Sequence, residues 1–269
     1  MSVTTRDEAP FRSGLFLAGV AAFVIPMIAV GLSGADWRGL APATCMPDHC
    51  FCERVGDGPI RQPANSWSNL GFVLVGMLIV ARREPSGASG LAGDPILRTL
   101  FGVLVWFLGI GSGAYHATLS FGGQWVDVMS MYLMPTFVIL LNVSRVRPLA
   151  FPTFLGLYLG VNGVLGALLV TVPEARRYLF AGVVVALIAS EIWSRGKIRV
   201  ARDGRLFAAS AGALAVSFAI WNLDRGHIVC APESLLQGHA LWHLGCAACT
   251  GLLYLYYRSE RALPAATPA

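Results

Sequence analysis

The sequence predicts an all-α protein, a polytopic bundle of membrane-spanning helices. Three observations carry this. Of the 269 residues 55% are hydrophobic and only 13% charged, with a mean hydropathy of +0.63, whereas a soluble domain carries about 25% charged residues. The apolar residues gather into eight runs, 14–32, 66–81, 99–119, 124–143, 151–172, 177–194, 206–223 and 235–257. Most approach the roughly 20 residues needed to cross a hydrocarbon core of about 30 Å. The 20 basic residues, all Arg except Lys197, fall singly and in small groups between those runs. Such a pattern sets membrane topology. It offers no basic stripe for nucleic acid, so the net charge of +5 implies no nucleic-acid partner. Disorder is excluded by the same composition, because disordered chains are apolar-poor and charge-rich.

Run 14–32 reads as an uncleaved span, since it exceeds the usual signal-peptide core and no clear small-residue cleavage pattern follows. Segment 34–65 is then a loop. The second run is short and opens on polar residues, with Asn65 and Asn69 at its entry. The third contains the small-residue stretch Gly109–Gly113, suited to a close helix crossing, and ends near His116. A short turn, Ser120 to Gly123, leads into the fourth, which carries Asp127 near its start. The fifth and seventh runs carry no charged residue, and the sixth places Glu191 at its end, where an interfacial position is expected. The eighth carries His239, His243, Cys246 and Cys249, the two cysteines expected as small packing residues. Connections are short, so residues 66–257 form one bundle, followed by a tail at 258–269.

Fourteen of the basic residues fall on the side that holds both termini, and six (Arg38, Arg54, Arg61, Arg176, Arg177 and Arg225) on the other. The positive-inside rule makes the first side cytoplasmic. Heavy Arg and Ala usage points to a GC-rich bacterial gene, hence to an inner membrane. Cys45, Cys50, Cys52 and Cys230 then lie in non-cytoplasmic loops, where disulfides persist. A metal cluster of the first three with His49 ranks below disulfide pairing, because the spacing matches no standard zinc site.

Ionisable groups inside spans are costly and mark function. Counting along each span puts His116, Asp127, Asp224, His239 and His243 at one level, the non-cytoplasmic third of the bilayer. His239 and His243 are spaced i, i+4, so their rings share one helix face and can grip one metal ion. A catalytic zinc takes three protein ligands, and His116 supplies the third at matching depth. Ser112 precedes His116 by one turn. Asp127 follows it across the short turn, as an interfacial cap, a base for water, or an orienter of a ligand histidine.

These residues resemble the alkaline ceramidases, within a superfamily of seven-helix membrane hydrolases that also includes adiponectin-type receptors. The matching stretches are Asn65-Ser66-Trp67-Ser68-Asn69-Leu70, Gly109 to Leu119 with Asp127, Trp221-Asn222-Leu223-Asp224-Arg225, and His239-Ala240-Leu241-Trp242-His243. The resemblance implies a seven-helix core with one extra N-terminal transmembrane helix. It implies zinc on His116, His239 and His243, Asp127 as proton acceptor, Ser112 as oxyanion stabiliser, and a Cys52–Cys230 disulfide. The implied partner is a membrane lipid, ceramide or another N-acyl lipid, cleaved to an amine and a fatty acid. Some members hold calcium near the second span. Glu53 and Asn65 are kept here, but Gln62 replaces a carboxylate and the loop is shorter, which argues against calcium. The competing readings are a lipid-sensing receptor with little hydrolysis, a haem protein using two histidines, and a Ser112–His116 esterase dyad.

Overall fold

The structure, a computed structural model, describes residues 11–47, 50–84 and 87–263. His49 lies outside them. Among the described residues ten α-helices follow in order: α1 (Ser13–Ser33), α2 (Pro63–Ser68), α3 (Leu70–Ala81), α4 (Gly90–Gly93), α5 (Pro95–Thr118), α6 (Phe121–Val146), α7 (Phe151–Thr171), α8 (Arg176–Arg195), α9 (Gly204–Arg225) and α10 (Gly238–Arg258). Seven spans among them are long and apolar enough to cross a membrane, α2 and α3 counting together as one. The protein is therefore an all-α polytopic bundle with the make-up of an integral membrane protein. The eighth run forms α10, as long as α1 at 21 residues. It falls outside the seven because its histidines and tyrosines dilute its apolar content.

Capping explains the boundaries. Asp94 accepts from the N–H groups of Ile96 and Leu97, and Pro95 occupies the first turn of α5, where its missing N–H costs nothing. Ser120 caps α6 by accepting from the Gly123 N–H. The second span starts earlier than its apolar run because Pro63 opens α2 and the Glu53 carboxylate accepts the N–H groups of Ala64 and Asn65. The expected turn at 120–123 is tighter than the sequence indicates. Leu119 takes a left-handed conformation (φ 48°) that ends α5, and α6 begins at Phe121.

Helix α10 packs between α9 and α3, α3 against α5, and α5 against α6, with α7 and α8 on the far side of α6. Glycines allow α3 and α5 to cross closely: a Cβ on Gly76 would sit 2.5 Å from the Trp106 backbone nitrogen, and one on Gly109 would sit 2.8 Å from the Asn69 carbonyl oxygen. Helix α1 rests on the outside of α3 and buries only Phe23 and Met27. Along their length α8 and α9 barely touch.

Two disulfides, Cys45–Cys50 and Cys52–Cys230, stand at the end of the bundle that holds His116 and His239. The second joins the loop after α1 to the loop after α9, as the resemblance implied. At the opposite end Glu191 is fully buried, which corrects its interfacial reading. Its carboxylate accepts from Arg202 Nη1 (2.7 Å), Tyr257 (2.7 Å), Asn142 (3.1 Å) and Tyr256, while Arg202 also reaches Glu260. A two-residue strand pair, β1 (Val200–Ala201) with β2 (Arg261–Ala262), holds the tail against the α8–α9 connection.

Candidate active site

His116 ends α5, and His239 and His243 lie one turn apart near the start of α10; all three are buried. Each ring offers a nitrogen within 4.8 Å of the others. The Nε2 atoms of His116 and His239 are 3.1 Å apart. Two nitrogens bound about 2.0–2.1 Å from a tetrahedral ion stand roughly 3.3 Å apart, so the donors suit such an ion. Axial haem ligands on opposite faces need roughly 4 Å, which this pair does not provide.

Neighbouring groups fix the ring orientations. His116 Nδ1 donates to Gln62 Oε1 at 2.9 Å. His116 thus turns an Nε2 lone pair inward. His243 Nδ1 lies 2.8 Å from Ser68 Oγ, whose hydroxyl reaches the Asn65 carbonyl at 2.9 Å, and 3.3 Å from Asn69 Nδ2. Asp224, buried, accepts the Cys52 N–H (3.1 Å) and the His239 N–H (3.0 Å) through its two oxygens. It therefore fixes where α10 begins relative to the disulfide loop. Phe51 from that loop stacks on the His239 ring, centroids 3.5 Å apart. Several polar atoms around the triad have no protein partner: His239 Nδ1, Asn65 Oδ1, Ser66 Oγ and Asn69 Oδ1. Orphaned buried atoms cluster at functional sites, and here they accompany a donor set of three neutral imidazoles. The residues present fit a bound metal ion.

The tight α5–α6 reversal brings Asp127 onto the same cavity as Ser112, His239 and His243, with Arg176 also on its wall. Ser112 Oγ stands 3.5 Å from His243 Nε2. That places the serine at the triad itself but against His243 rather than His116, so the competing Ser112–His116 dyad does not form. Glu53 stands apart: both its oxygens are engaged by the first turn of α2. Burial lifts its carboxyl above the usual carboxylate range, and those two N–H groups offset only part of the rise.

Below the triad lies a cavity of about 580 Å³, within the usual range for small-molecule sites. Its walls include Met131, Leu187, Phe207, Leu214, Trp242 and Leu253, from α6, α8, α9 and α10. Cys246 and Cys249, expected only to pack, are free thiols on this wall. The triad, Ser112 and Asp127 were legible in the sequence. Gln62, Ser68 and the double role of Asp224 were not, because each acts on a partner far along the chain. Gln62 was noticed only as a departure from a carboxylate.

A comparison with curated proteins finds no match. A family model described as Ceramidase matches residues 59–264, which takes in every residue of the triad, Ser112, Asp127 and the cavity walls from α6 to α10. With well over half the sequence covered, the chain belongs to the ceramidase family, of ceramidase-type amide hydrolases.

Proposed function

We propose that the protein is a zinc-dependent hydrolase that cleaves ceramide, or a closely related N-acyl lipid, to a long-chain amine and a fatty acid. The observation that carries this reading is a buried triad of imidazoles, with a carboxylate and a hydroxyl beside it, at the head of an apolar cavity. His116, His239 and His243 would hold the ion. Zinc supplies a Lewis acid for the amide carbonyl and makes a water acidic enough to attack near neutral pH.

The remaining steps belong to the chain's own side chains. Asp127 takes one proton of the attacking water as its oxygen bonds to the acyl carbon. Ser112 donates its hydroxyl hydrogen to the carbonyl oxygen as negative charge develops there, an interaction strongest where water is excluded. The C–N bond then breaks, and Asp127 returns the proton to the departing nitrogen. The water has then been divided between acid and amine. The poorly sealed seam between α8 and α9, beside the cavity, gives a membrane lipid a sideways path in.

Orientation follows from the same picture. The disulfides and the site share one end, and the basic loops and the buried Arg202 network the other. Both termini are then cytoplasmic, and the site faces the oxidising side of a bacterial inner membrane. This requires α10 to cross along with the seven more apolar spans.

The test is metal content together with lipid turnover on purified protein. Wild type should hold about one zinc per chain and release fatty acid from ceramide. His243→Ala and His239→Ala should lose both. Full turnover in either variant would refute the reading, and a metal-loaded wild type that cleaves no N-acyl lipid would favour a lipid sensor.

A further inference from the structure

We propose that Gln62 is a positioning residue for the metal site, fixing the tautomer in which His116 presents Nε2 to the ion. This rests on the metal reading above. Gln62 and His116 are both fully buried. Residues 61–62 run alongside the end of α5: the Arg61 N–H donates to the Ala117 carbonyl (3.0 Å) and the Gln62 N–H to the His116 carbonyl (3.1 Å). The side chain then contacts the same histidine again through Oε1, 2.9 Å from Nδ1.

The amide cannot be turned round. Its nitrogen donates to the Glu53 carbonyl at 3.1 Å, and its oxygen accepts from Asn65 Nδ2 at 3.3 Å. An amide oxygen only accepts hydrogen bonds. His116 Nδ1 must therefore carry the proton, leaving the Nε2 lone pair facing His239. The Glu53 carbonyl that holds Gln62 is itself held, since the Glu53 carboxylate grips the start of α2. Partners of this kind, one step behind a metal ligand, govern both affinity and ring orientation.

Glutamine has a further consequence. A carboxylate in the same place could accept the same proton, but it would place a charge behind His116. The amide gives direction without charge.

The proposal is tested by cobalt binding to the purified full-length protein after chelator treatment, followed through the visible bands of bound Co2+. Three proteins are compared: wild type, Gln62→Leu and Gln62→Glu. Both variants lose the bond to the Glu53 carbonyl, so any loosening of that loop is common to them. Only Gln62→Glu keeps an acceptor for His116 Nδ1. Gln62→Leu should bind Co2+ about 10–100-fold more weakly, and Gln62→Glu at least as tightly as wild type. Gln62→Met serves where Gln62→Leu does not fold. Equal affinities in the leucine and glutamate variants, whether both strong or both weak, would overturn the proposal. A wild type that takes up no Co2+ would instead overturn the metal reading, before the variants are compared.

Discussion

Replacing Arg202 with methionine should destabilise the bundle severely without touching the site. The guanidinium is 2% exposed and lies between Glu191 and Glu260, themselves 0% and 2% exposed. Removing it strands one carboxylate among Tyr256, Tyr257 and Asn142 and leaves the other with Arg145 alone. Removing one partner of a buried ion pair costs about 3–5 kcal/mol. For a chain of this size that is roughly 6–20 °C in unfolding midpoint. Glu191→Gln should cost less, since the amide oxygen still accepts from one of the two tyrosines and Arg202 keeps Glu260. The double variant Glu191→Gln/Arg202→Met should recover part of the loss, because no unpaired charge remains at position 191. His239 and Tyr256 are 17 residues apart on α10, about 26 Å at 1.5 Å per residue. Metal content of the folded protein should therefore be unchanged. Thermal unfolding in detergent, followed by tryptophan fluorescence, gives all three midpoints. Arg202→Met as stable as wild type, or a double variant no better than that single one, would refute the assignment of a paired buried charge.

Two further outcomes follow at the other end. Ser112→Ala should keep its metal and lose about 10²–10³ in kcat, the usual cost of removing one oxyanion donor; loss of metal together with activity would make the serine a structural group. Cys230→Ser opens a bridge that spans 178 residues and should cost about 2–5 kcal/mol. A reductant, which opens both bridges, should lower the wild-type unfolding midpoint at least to that of the variant, and an unchanged midpoint would show that non-covalent contacts hold the loop without the bridges.

The triad could be read from the sequence because its rules are linear. A spacing of i, i+4 puts two rings on one helix face, and counting along spans of known direction puts His116 at their depth. Glu191 could not be read that way. Its position near a helix end, before Arg195, looks interfacial, and the groups that satisfy it come from α6, α10 and the α8–α9 connection. The start of the second span was hidden for the same reason. Glu53, ten residues before Pro63, caps α2, and no local pattern announces a cap from that distance. Leu119 is a different case: a bulky residue with positive φ is uncommon, and only the opposed demands of the α5 end and the α6 start impose it.

Lipid is as apolar as the helix faces, so burying one apolar helix against another in a membrane gains little over leaving it in lipid. What fixes these helices must be close backbone approach and polar contacts, and both are unevenly placed. Gly76 and Gly109 lock α3 to α5. Asp224, Gln62, Ser68 and the Cys52–Cys230 bridge tie the loops to the triad. Arg202, Glu191 and Glu260 close the other end. Between these ends the seam of α8 with α9 has neither device, although α9 itself is tied to α10 through Ser210 and the Cys249 carbonyl. That seam, through which a lipid would enter, is therefore the loosely closed side of the cavity, while the groups that would act on the lipid's amide are held by side chains of several helices and loops.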